Sequence, residues 1–214
     1  MIQALRIARW AVLGLIVLLA VGMAILRFGL GLRRPVSDAA TAATAAVPAG
    51  VAIGGPFRLI DDKGRAVTDA DYRGRWMLVY FGYTNCPDAC PLTLQKMASA
   101  LKVLGPLADR LVPVFITVDP ARDTPGQLAD YINNFDPRIA GLTGSSEQIA
   151  AVAKAYRVYY APAEPDKSGA YLVGHSSFLY LVDPAGKVNA LLPMDSSAGE
   201  LTVVLRSKLS HWPA

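Results

Sequence analysis

Apolar residues are arranged along this chain in three ways, and each arrangement predicts something different. From Trp10 to Leu26 they dominate seventeen residues without a charge. In Trp76–Tyr83 (WMLVYFGY) and Leu111–Val118 they form short blocks, the pattern of central strands covered on both faces. In Pro91–Leu107 they recur at helical spacing, at Leu94, Met97, Leu101 and Leu104. Smaller elements fill the gaps. Phe57–Ile60 predicts a short strand before the turn Asp61-Asp62-Lys63-Gly64. Thr124–Phe135 predicts a helix with Thr124 as N-cap and Pro125 in its first turn. Ser146–Tyr156 reads as a helix, Arg157–Tyr160 and Ser177–Asp183 as strands, and Asp183–Gly186 as a turn. Lys187–Leu192 completes a hairpin, and a last helix covers about Ala198–Leu209. Strand–helix–strand units followed by a hairpin and a helix predict an α/β sandwich on a mixed central sheet, with a thioredoxin-like layout.

The amino-terminal stretch stands apart. Its apolar run is flanked by Arg6 and Arg9 before and by Arg27, Arg33 and Arg34 after. About 17–25 apolar residues cross a bilayer, and snorkelling of Arg27 lets Phe28–Leu32 lengthen the span. The competing reading is a cleaved signal peptide, for which the run is long and the following arginines ill placed. The expected organisation is a membrane anchor at 1–34 (crossing at about 10–30), an Ala/Thr/Pro-rich tether at 35–50, and one domain at 51–214. The arginines balance across the span, so the positive-inside rule assigns no orientation.

Charge changes the picture only when divided. Residues 1–34 hold five arginines and no acid, which leaves 16 basic and 17 acidic side chains in the remainder. The net positive charge belongs to the anchor. With no basic face or Lys/Arg run, nucleic acid is excluded as a partner.

The candidate chemistry is concentrated in one place. Both cysteines of the 214-residue chain lie in Cys86-Pro87-Asp88-Ala89-Cys90-Pro91, where the first long strand feeds its helix. Open α/β sheets commonly bind ligands at that end of a strand. Residues i and i+4 share a helix face, and helix-start N–H groups favour thiolate, so two sulfurs are expected to point the same way. Several readings compete. A structural disulfide gains little from closing so short a loop. Two inert core thiols sit poorly with Pro87, Asp88 and Pro91. Structural zinc wants four ligands, and the chain offers two Cys and two His, with His211 close to the end. Copper(I) suits two thiolates with an imidazole, and His175, just before the Phe178–Asp183 strand, is the candidate nitrogen. Thiol–disulfide exchange through Cys86 and Cys90 is the other reading, and the two can coexist. The three-residue spacer is one longer than a C-x-x-C redox loop. A peroxiredoxin-like peroxidase is disfavoured, because Tyr80 and Tyr83 occupy the positions where its Pro and Thr belong. Met77 and Met97 read as core fillers, Met194 as a surface candidate for a further donor. Tyr159, Tyr160 and Tyr171 read as packing residues or a docking face.

On these residues the chain resembles the SCO/SenC family of copper-binding assembly proteins. The run Tyr80–Pro91 (YFGYTNCPDACP) carries that likeness. So do Thr117–Pro125 (TVDPARDTP) and Tyr159-Tyr160 followed by His175–Gly186 (HSSFLYLVDPAG). The likeness spans about residues 50–210. It implies a thioredoxin-like fold, with Cys86, Cys90 and His175 as copper ligands. Copper is expected as Cu(I), with Cu(II) a second form. The implied task is copper delivery to, or thiol maintenance of, the binuclear copper site in cytochrome c oxidase subunit II. A copper donor protein and a thiol reductant are the other implied partners. It also implies a domain outside the cytoplasm. With no long transit peptide before Trp10, the expected location is a bacterial inner membrane with the domain in the periplasm. The alternative is the mitochondrial inner membrane, facing the intermembrane space. Asp119 matches an acidic position near the family's metal site, or is a turn residue before Pro120. Two departures stand out: Gly174 where relatives often have an acid, and Asn85 where a histidine is common.

Overall fold

A computed structural model of the protein describes Trp10 and residues 13–23, 52–176 and 178–211. The chain divides into two compact units, Met1–Thr41 and Ala42–Ala214. In the first, residues 13–23 are helical and almost wholly exposed. Among the described residues no helix is long and apolar enough to cross a membrane. The rest of the expected anchor, and the whole expected tether, lie outside the described residues.

The second unit is built on a seven-stranded sheet with the order β2-β1-β5-β4-β3-β8-β9. Its strands are β1 (Arg58–Asp61), β2 (Ala66–Thr68), β3 (Trp76–Gly82), β4 (Leu111–Thr117), β5 (Ala140–Thr143), β8 (Phe178–Val182) and β9 (Val188–Pro193). β3, β4 and β5 are parallel to one another, and the flanking pairs are antiparallel. Every residue of β3 and β4 is buried, as their unbroken apolar runs require. Two more strands, β6 (Tyr160–Pro162) and β7 (Val173–His175), pair only with each other in a separate ribbon.

Among the described residues the unit's α-helices are α1 (Ala89–Leu104), α2 (Pro125–Ile132), α3 (Ser146–Ala155) and α4 (Ala198–Ser210). α1 packs against α4, and α2 against β5. Thr124, Ser145 and Ser197 cap α2, α3 and α4 by accepting from the N–H three residues on. A Gln or Glu at that third position reaches back in each case, completing a capping box. α1 ends at Gly105, whose φ of 57° stops it short of the expected Leu107. The strand expected at Arg157–Tyr160 is displaced. Arg157 adopts φ 54°, a left-handed turn that follows α3, and the strand begins only at Tyr160. The three- and four-residue strands β2, β5 and β7 carry too little periodicity to read from sequence.

Sheet register positions the candidate site. β8 runs antiparallel to β3 with Tyr80 opposite Leu179, so β8 starts where β3 ends. The residues just before β8, His175 among them, therefore arrive beside the residues just after β3.

Candidate functional site

The site is assembled at the carboxyl end of β3. The chain leaves β3 at Gly82 and turns through Tyr83–Asp88 before entering α1. Cys86 lies in that turn and Cys90 at the second residue of α1, so the two do not share a helix face as the spacing suggested. They are nevertheless neighbours: the Cys90 backbone N–H donates to Cys86 Sγ at 3.4 Å. The helix-start donor thus serves Cys86, as the sequence reading anticipated for the pair. Cys90 departs from that reading. It is fully buried, and loss of water pushes its thiol up to about 12, a protonated thiol at neutral pH. Cys86 is half-buried, and both cysteines are free.

His175, at the end of β7, brings its Nε2 to 3.7 Å from Cys90 Sγ. Its Nδ1 lies 3.0 Å from the Ser176 carbonyl, which can only accept. The proton therefore sits on Nδ1 and the Nε2 lone pair faces the sulfur. Burial holds the ring below its ordinary pKa and so keeps it neutral. The edges of Tyr80 and Tyr83 frame it, with ring centroids 6.0 and 6.1 Å away.

Of the other residues at the site, Met194 is the one the sequence offers as a further donor. The buried Tyr80 hydroxyl lies 3.4 Å from Cys90 Sγ and 3.3 Å from Met194 Sδ. Met194 is half-buried beside the core, more enclosed than its sequence context predicted. Met77 and Met97 are core residues, as expected. A methyl group on Gly82 would stand 2.7 Å from the Phe115 ring and 3.0 Å from Cys90 Sγ, so only glycine fits. Asp123 is fully buried and accepts from the Thr84 N–H at 3.0 Å, the Thr84 hydroxyl at 2.6 Å and the Thr117 hydroxyl at 2.6 Å. It thereby fixes the turn two residues before Cys86. Asp119 is buried and accepts from Tyr171 Oη and Arg122 Nε, which gives it more than a turn role. Tyr171 belongs to that cluster, whereas Tyr159 is exposed. Asn85 is exposed and bonds only locally, to Thr84. Gly174 sits in β7 beside His175. Among the described residues no three His, Cys, Asp or Glu side chains already stand in metal-binding geometry.

One buried and one half-buried thiol beside a neutral imidazole, at the end of a central parallel strand, make an arrangement chemically suited to a soft metal ion or to thiol exchange, on a thioredoxin-like sandwich. The SCO1/SenC family model matches residues 45–210, and the chain belongs to that family. The Schizosaccharomyces pombe protein sco1 is 45% identical over 158 residues, covering 72% of this chain and 60% of that protein. The human mitochondrial SCO1 homolog is 39% identical over 159 residues, covering 73% of this chain and 53% of the relative. The chain thus spans between about half and three-fifths of these two relatives. A SCO2-like protein of Rickettsia prowazekii is 41% identical, covering 74% of this chain and 78% of that one. Arabidopsis thaliana ScoI, solved with copper bound, matches at a TM-score of 0.71 and 42% identity, over 75% of this chain and all of that one. Yeast Sco1 with copper bound matches at 0.68 and 39%, over 77% and 92%.

Proposed function

We propose that this protein is a membrane-tethered copper carrier that serves assembly of the binuclear copper site in cytochrome c oxidase subunit II. Cys86, Cys90 and His175 hold the ion. The observation that carries this reading is the 3.7 Å approach of His175 Nε2 to Cys90 Sγ, with Cys86 alongside. Two thiolates and a neutral imidazole are the donor set Cu(I) favours, and the Nδ1–H bond to Ser176 already selects the nitrogen that would bind. The buried Cys90 must give up its proton on binding. The copper-bound relatives in plants and yeast support the metal. Under the same reading residues 1–34 anchor the chain, 35–50 tether it, and 51–214 form the carrier domain. That domain faces the periplasm from a bacterial inner membrane, where a copper donor protein loads it and a thiol reductant keeps it reduced. The test is an anaerobic Cu(I) titration of the reduced chain against a competing chelator. About one ion per chain is expected. Cys86→Ser, Cys90→Ser and His175→Ala should each lose the competition. Undiminished affinity in His175→Ala would sink the three-ligand site.

A second reading, reduction of the disulfide in the oxidase's copper site, is favoured by the unequal burial of the two free thiols. The half-buried Cys86 attacks a partner sulfur, and Cys90, held against it, displaces the partner as the internal disulfide closes. Retained reductase activity in His175→Ala, alongside lost copper binding, would assign the chain to this work.

A further inference from the structure

The segment Thr117–Asp123 lies outside the proposed ligand set, yet it touches both halves of the site. On one side Asp123 ties down the cysteine turn through Thr84. On the other, Asp119 accepts the Tyr171 hydroxyl at 2.9 Å, and Tyr171 lies four residues before His175 at the entry to β7. Arg122 joins the two sides. Its Nε donates to Asp119, its guanidinium carbon lies 3.6 Å above the Tyr171 ring centroid, and it stands 5.9 Å from the Tyr83 ring. A planar cation faced by aromatic rings from both ligand-bearing segments is held by stacking and a single Nε–H bond to Asp119, its buried Nη2 having no hydrogen-bond partner among the described residues, and lysine cannot reproduce that stacking. The need for such a device is plain from topology. The β8 register brings His175 toward the cysteine turn, but among the described residues the β6–β7 ribbon that carries it shares no ladder with the seven-stranded sheet, which leaves side chains to fix the ribbon's outer end.

We propose that Arg122, gripped by Asp119, is a positioning residue that clamps the Tyr171 end of the histidine ribbon to the cysteine turn and so presents His175 Nε2 to Cys90. The metal consequence rests on the copper reading above, but the clamp itself does not.

The experiment uses the full reduced chain with Arg122→Ala, Arg122→Lys and Tyr171→Phe, each alone and combined with His175→Ala. Two quantities are read: Cu(I) affinity by chelator competition, and amide hydrogen exchange in the metal-free protein. Arg122→Ala should weaken Cu(I) binding about 10- to 100-fold, the usual effect of losing a residue that orients a ligand. In the His175→Ala background the same change should matter less than about twofold, because a residue acting through His175 has nothing left to orient. Arg122→Lys should fail to restore affinity. Tyr171→Phe, which keeps the ring and loses only the hydroxyl, should show a smaller loss. Without metal, the amides of Tyr160, Ala161 and Val173–His175 should exchange at least about tenfold faster in Arg122→Ala, while those of β3 and β4 hold their protection. Equal affinity loss in both backgrounds, or ribbon exchange left at the wild-type rate, would overturn the clamp. If the wild-type chain takes up no Cu(I), the carrier reading fails. The exchange data then decide the clamp alone, faster ribbon exchange supporting it and unchanged exchange refuting it.

Discussion

The Tyr80 hydroxyl stands 3.4 Å from the Cys90 sulfur, inside the protein, and donates toward it. Such a donor favours thiolate, whereas burial opposes it more strongly. The two cysteines should therefore differ sharply toward iodoacetamide in the reduced, metal-free protein. Cys86 is expected to react first. Cys90, with its thiol up to about 12, should react slowly and still be gaining rate at the highest pH the fold tolerates. Tyr80→Phe keeps the ring and removes the donor, so Cys90 should become slower still. Mass-spectrometric time courses at fixed pH check the order, and equal rates at the two sites would contradict it.

The same burial sets the pH dependence of copper uptake. With Cys90 as a ligand, as proposed, metal binding requires its thiolate, so below about pH 12 each binding event releases its proton. Rising pH therefore favours binding, by about tenfold in apparent affinity per pH unit from this thiol alone. His175 adds nothing above neutrality, because burial lowers its pKa and leaves the ring already neutral there. Proton release counted by calorimetry in two buffers of different ionisation enthalpy should drop by about one in Cys90→Ser.

Gly82 is expected to be intolerant of any side chain. The added methyl of Gly82→Ala meets the Phe115 ring at 2.7 Å and Cys90 Sγ at 3.0 Å, in a strand end with no free space. Overpacking of this kind costs about 1–3 kcal/mol. Denaturant unfolding should register that loss, and chelator competition should show weaker Cu(I) binding because the displaced atom is a proposed ligand. A wild-type midpoint would mean that β3 can yield at this point.

Asp123 should prove more costly to remove than any surface carboxylate. It is fully buried and takes two hydroxyls and a backbone N–H within 3.0 Å. Asp123→Ala strands those donors and is expected to destabilise the fold by about 3 kcal/mol or more, with Asp123→Asn intermediate. Urea midpoints and m-values of the two variants provide the check.

Much of this was legible in the chain itself, for identifiable reasons. β3 and β4 announce themselves because a strand buried on both faces has no polar alternation to obscure it. Thr124 could be read as a cap because its proline signal is local, and the structure adds Gln127 as the second half of the capping box. The cysteine pair was conspicuous as the chain's only thiols. His175 was harder, since nothing within a few residues of it says what it faces; the likeness to a family supplied that expectation. Tyr80, Gly82, Asp123 and the Arg122–Tyr171 stack were not legible. Their roles arise from contacts across 6 to 114 residues of sequence, and each residue type is ordinary in its own neighbourhood. The displaced strand at Arg157 failed for a local reason: its apolar tyrosines fitted a strand, but the φ of 54° at Arg157 turns the backbone away first.

The register that places His175 beside the cysteines also imposes an order on biosynthesis. The imidazole follows Cys90 by 85 residues, and the strand behind it is the antiparallel neighbour of β3. At ribosomal speeds that interval lasts roughly 4 to 17 seconds. Throughout it the nascent chain carries two thiols with neither their third companion nor the sheet edge that will enclose one of them. Only Cys90 gains shelter from oxidants when that edge closes; Cys86 stays partly open to them before and after.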